Sequence, residues 1–165
     1  MSKHRGISIA VLVLFIISIA INIFLANDNK DKELIIENME AQYEQRNDAK
    51  LYGVLNNIEL DLDFINMSTK EIESALVQNI AYCNSAMYLV DGTRLSDDEG
   101  SFGFALQYTK TYLDYLLNNK DMAKTKECSK ALEEISEAYY EAIYRNDKKY
   151  IKEFERVAKS YADIE

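Results

Sequence analysis

The chain has 165 residues and a formal net charge of −9, with no proline, no tryptophan, one histidine and five glycines, three of them between Gly92 and Gly103. A β-rich domain needs a turn about every 8 to 12 residues, and the long intervals without Gly or Pro exclude one. The length suits one folded domain, and the acidic balance excludes a polybasic reader of nucleic acid or anionic lipid headgroups.

Residues 1–6 are short and basic, with Lys3, His4 and Arg5. From Ile7 to Ala26 no residue is charged, and fourteen of the twenty are Ile, Leu, Val or Phe. A helix of that length is about 30 Å long, the thickness of a bilayer's hydrocarbon core. Its large apolar residues contribute roughly 4 to 8 kcal/mol to insertion, which outweighs one asparagine near the end. A cleaved signal peptide is the rival reading, but its apolar stretch is usually about 7 to 15 residues. Phe24 also stands two positions before Ala26, where a cleavage site wants a small residue. Residues 7–26 are therefore expected to be a transmembrane signal anchor with membrane lipid as its partner. A short basic N-terminus favours a cytoplasmic location for residues 1–6. Residues 27–165 then form an extracytoplasmic domain at the cell membrane, carrying 28 acidic and 17 basic residues for a net charge of −11.

Beyond the anchor, apolar residues recur at helical spacing. Leu51, Leu55, Ile58, Leu62 and Ile65 step by four and three, and Ile36, Met39 and Tyr43 continue the pattern upstream. The first helix is expected over about 30–66, as one rod or as two. Ser68 and Glu71 make a capping box that opens a second helix, with Ile72, Leu76, Ile80, Cys83, Met87 and Val90 inward and Gly92 as its left-handed stop. The segment from Gly92 to Gly103 is a solvated loop. A third helix over about 102–117 ends at Asn118-Asn119. Asp121 caps a fourth, Asn146 breaks it, and Asp147 caps a short fifth. Tight turns make neighbours antiparallel. The expected architecture is all-α: an N-terminal transmembrane helix followed by an antiparallel up-and-down bundle of four to five helices.

Chemistry-bearing groups are sparse. His4 precedes the apolar run, so the body has no imidazole, the commonest general base and a usual metal ligand. Glu134, Glu137 and Glu141 share a helix face without the Glu-x-x-His pairs of a di-iron site, and the stretch from Asp91 departs from a calcium loop at Leu95, Ser96 and Phe102. Cys83 and Cys128 fall at different depths on helices running the same way, which favours two buried thiols over a disulfide. No catalytic residue, cofactor or metal site is expected. Tyrosine is the unusual component, with twelve in the chain. Tyr108, Tyr112 and Tyr115 on one helix, with Tyr140 and Tyr144 on another, are the candidates for an interface or pocket, since a phenol buries a ring and keeps a hydroxyl that wants a partner. Phe102 and Phe104 are the candidates for a membrane-proximal loop, with Asp97, Asp98 and Glu99 opposing contact. The expected function is a non-enzymatic membrane-anchored module that binds another envelope or membrane-complex protein. The alternative is an extracytoplasmic ligand-binding or sensory bundle acting through a partner.

Overall fold

A computed structural model describes the backbone of residues 2–96 and 99–163, and the side chains of all these except 2–14 and 20. The described residues form five α-helices and two short 3-10 turns, with no strand among them: α1 (Ser2–Leu55), α2 (Thr69–Leu89), α3 (Ser101–Asn118), α4 (Lys126–Arg145) and α5 (Lys148–Ala162). By internal contacts the chain divides into two units, Met1–Gln42 and Tyr43–Glu165. The first is helical throughout its described residues. Among the described residues no helix is long and apolar enough to cross a membrane. The expected anchor at 7–26 lies partly outside those residues, because the side chains of 7–14 and 20 are not described.

The second unit is a helical bundle. Lys120 on the far side of α3 pairs with Glu73 near the start of α2, at 2.7 Å, while Val90 and Gly103 line a common cleft at the opposite ends of these helices. The two helices therefore run antiparallel. Tyr139 packs on Phe154, with ring centroids 5.5 Å apart, and Tyr161 hydrogen-bonds Glu134, which makes α4 and α5 antiparallel as well. Phe102 meets Phe154 at 5.7 Å and Tyr112 meets Tyr161 at 5.9 Å, so α3 and α5 lie side by side and parallel. Leu76, Leu106, Leu113, Leu132, Ile135 and Phe154 are among the fully covered side chains. Each such aliphatic or aromatic side chain stabilises the fold by about 1.5–3 kcal/mol.

Local chemistry explains most helix ends. The Glu71 N–H donates to Ser68 Oγ while Glu71 Oε2 accepts from the Ser68 N–H at 2.7 Å, completing the expected capping box. The Lys149 N–H donates to Asp147 Oδ1 at 2.8 Å, as expected for the cap of α5, and Asn146 ends α4 in a left-handed conformation with φ 46°. Gly92, at φ 72°, accomplishes the turn after α2, and a Cβ there would stand 3.3 Å from Asn47 Nδ2.

Three expectations require correction. The first helix ends at Leu55 and does not reach 66. From Ile58 to Phe64 burial alternates: Ile58, Leu60 and Phe64 are covered, while Glu59, Asp61 and Asp63 are exposed. Ile58 and Leu62 belong to this period-two segment, and Ile65, 48% exposed, is no part of the core. Asn79, on the buried side of α2, accepts the Glu59 N–H at 2.7 Å and holds the segment down. Secondly, α4 begins at Lys126, capped by Thr125, whose Oγ1 accepts from the Cys128 N–H at 3.2 Å. Asp121 instead precedes a 3-10 turn at Met122–Lys124 and makes no side-chain cap bond. Thirdly, the segment after α2 is anchored. Leu95 is fully buried, Thr93 is nearly so, and the Arg94 N–H donates to Asp48 Oδ1 at 2.9 Å.

Candidate functional site

The candidate tyrosines separate into three places. Tyr108 is half-buried on α3, with Lys159 Nζ 5.9 Å from its ring centroid. Tyr140 and Tyr144 stack at 6.3 Å on an outer stretch of α4, with Tyr144 80% exposed. Tyr112 and Tyr115, one turn apart on α3, enter an open cleft of about 360 Å³ at the end of the bundle where α3, the 3-10 turn, α4 and α5 converge.

This cleft brings two of the expected tyrosines together. Tyr112 is nearly buried; its ring stacks on Tyr115 at 6.4 Å and tilts against Tyr161 at 5.9 Å. The Tyr112 hydroxyl hydrogen-bonds the Cys128 sulfur, and burial raises both of their pKa values. Tyr161 donates to Glu134. That bond pushes the Tyr161 phenol up to about 12 and holds the Glu134 carboxyl below its usual range. Both shifts record one interaction, a neutral phenol donating to a charged carboxylate. The ring of Tyr161 is thereby fixed from outside the cleft. Leu116 and Ala131 supply apolar wall, and the exposed acidic residues Glu127 and Asp163 also line the cleft. Among the described residues no lysine or arginine lines the cleft.

Tyr161 falls on the apolar face of the last helix by its spacing from Ile151, Phe154 and Val157, but that spacing does not make it a partner of Tyr112. Their meeting depends on α3 and α5 packing in parallel, which no local spacing encodes. Glu127 and Asp163 carried no sequence signal.

The expected membrane-proximal pair divides. Phe102 is fully buried against Phe154 and is unavailable to a bilayer surface, because the first turn of α3 points it into the core. Phe104 is 52% exposed. Asp97 and Asp98 lie outside the described residues. Glu99 is paired with Lys148 at 3.4 Å and Lys152 at 2.7 Å, which lowers its pKa and ties the start of α3 to α5.

Both thiols are free and buried. Desolvation pushes Cys83 up to about 12, which suppresses the reactive thiolate. Among the described residues no group of three His, Cys, Asp or Glu side chains is arranged to hold a metal ion. Comparison of the chain with protein-family models, curated proteins and solved structures gives no match.

Proposed function

We propose that the chain is a single-pass, membrane-anchored helical module whose acidic bundle lies outside the cytoplasm and binds another protein of the envelope or of a membrane complex. One observation carries the binding role: on α1, past the uncharged run, Leu34, Ile35, Ile36 and Met39 are between 55% and 66% exposed. Ile35, Ile36 and Met39 fall on one helix face by their spacing. Covering each such side chain with a partner gains about 1.5–3 kcal/mol if burial is complete. The anchor rests on the sequence alone: twenty uncharged residues, enough when helical to cross the hydrocarbon core. A non-enzymatic role is supported by the position of His4 before that run, which deprives the bundle of an imidazole base.

The full-length tagged chain, extracted in a non-ionic maltoside, tests the reading against a variant with Ile35, Ile36 and Met39 all changed to Ser. The parent is expected to retain a discrete partner that the variant loses; an unchanged set of bound proteins refutes it. Alkaline carbonate washing tests the anchor, since release of the chain from membranes contradicts it.

The tyrosine cleft favours a second reading, an extracytoplasmic ligand-binding or sensory bundle that acts through the same kind of partner. Its volume of about 360 Å³ falls within the usual range for small-molecule sites.

A further inference from the structure

The geometry points to a small organic cation, an alkylated ammonium, as the ligand of the cleft formed by Tyr112, Tyr115, Tyr161, Glu127 and Asp163. This inference rests on the ligand-binding reading and gives it a chemical class. Three tyrosines line the site, with the Tyr112 ring 6.4 Å from that of Tyr115 and 5.9 Å from that of Tyr161. Ring faces carry negative potential and attract a cation that sheds its water, most readily one whose charge is spread over alkyl groups. Two acidic residues, Glu127 and Asp163, line the cleft, and among the described residues no basic one does. Among the described residues neither Glu127 nor Asp163 belongs to an ion pair.

The contrast with the groove between α4 and α5 is chemical. That groove has comparable volume and four glutamates, but Arg156 lines it and pairs with Glu153 at 2.6 Å, while Arg145 pairs with Glu141 at 3.0 Å. Its charge is already partly met from within the chain, and among the described residues Tyr150 is the one aromatic that lines it. The tyrosine cleft combines aromatic wall with unmet negative charge. An anionic ligand would face Glu127 and Asp163, and an uncharged apolar one would gain nothing from them.

The test uses the full-length chain in maltoside at low ionic strength, with choline and its uncharged carbon isostere, dimethylbutanol, titrated by calorimetry. Choline is expected to bind at least about tenfold more tightly than the isostere, the size of a cation–ring contribution with a charged rim. Tyr115→Leu should weaken choline by about tenfold while Tyr115→Phe, which keeps the ring, retains binding. Glu127→Gln changes an exposed side chain and should weaken choline about threefold without altering the melting temperature. Equal binding of the two probes overturns the cation assignment and leaves a ligand cleft standing. Choline binding indifferent to all three variants places the site elsewhere and also overturns it. Binding of neither probe removes the cation and the ligand-binding reading together, leaving the protein-docking role untouched.

Discussion

Replacing Tyr139 with Phe removes one oxygen from the interior and nothing else. Tyr139 is 1% exposed, and its hydroxyl donates to the Leu55 carbonyl at 2.7 Å, joining α4 to the last residue of α1 across 84 positions of sequence. The Leu55 carbonyl also accepts the Ile58 N–H at 3.0 Å, so the substitution leaves no buried acceptor without a partner. The cost is then the net value of one hydrogen bond, about 1 kcal/mol, without an added desolvation penalty. For a folded unit of about 120 residues this lowers the melting temperature by roughly 4 °C. Tyr139→Leu additionally removes the ring that packs on Phe154 and Tyr140, with centroids at 5.5 and 5.4 Å. Its cost should reach about 3 kcal/mol, or roughly 12 °C. Near-ultraviolet circular dichroism of the full chain in maltoside follows the tyrosine environments through the melt. A Phe variant indistinguishable from the parent refutes the clamp between α4 and the end of α1. A Phe variant as damaged as the Leu variant refutes the ring-packing part of the estimate.

Asp48 is buried to 8% exposure and accepts both the Arg94 N–H at 2.9 Å and Arg94 Nε at 3.0 Å, so Asp48→Ala should cost about 1–3 kcal/mol in urea unfolding. Limited proteolysis of the Asp48→Ala variant should show earlier cutting near Arg94, and Asp48→Asn, which keeps an acceptor, should recover part of the loss. Cys83 and Tyr161 are pushed up to about 12, and burial raises Tyr112 and Tyr139 above the ordinary tyrosine range. Each holds its proton more tightly in the folded than in the unfolded chain, so their stabilising contribution is full below about pH 9 and declines as pH rises toward 12. Ultraviolet titration should show Tyr112, Tyr139 and Tyr161 ionising only at high pH or with unfolding; all twelve tyrosines titrating together contradicts it. Ser68→Ala removes the acceptor of the α2 capping box and should destabilise by about 1 kcal/mol, measured as a lower urea midpoint at unchanged slope.

The helical class, the order of helices and several of their ends were legible because local chemistry determines them. Ser68 with Glu71, Asn146 and Asp147 act within one turn of chain, and the structure shows each in the expected role. Ile58, Leu62 and Ile65 misled because steps of four and three also appear within an alternating stretch. The intervening Leu60 and Phe64, set against Glu59, Asp61 and Asp63, carried the period-two signal that the structure follows. Asp121 and Thr125 both suit an N-cap, and choosing between them depends on how Ala123 and Cys128 are buried, a tertiary matter. Phe102 was read as a membrane contact, whereas its first-turn position on α3 places it in the core. The cleft was half legible. Tyr112 and Tyr115 share a helix, whereas Tyr161 and Asp163 join them only through the parallel packing of α3 and α5.

The central claim is that the exposed apolar face of α1 docks a protein while the chain sits in its membrane. Photo-crosslinking in cells, with a photoreactive amino acid placed singly at Ile35, Ile36 or Met39 of the full chain and at exposed Thr111 as control, tests it most directly. One discrete adduct of the same mass shift is expected from the three α1 positions and none from Thr111. No adduct from any α1 position, or the same adducts from Thr111, contradicts it.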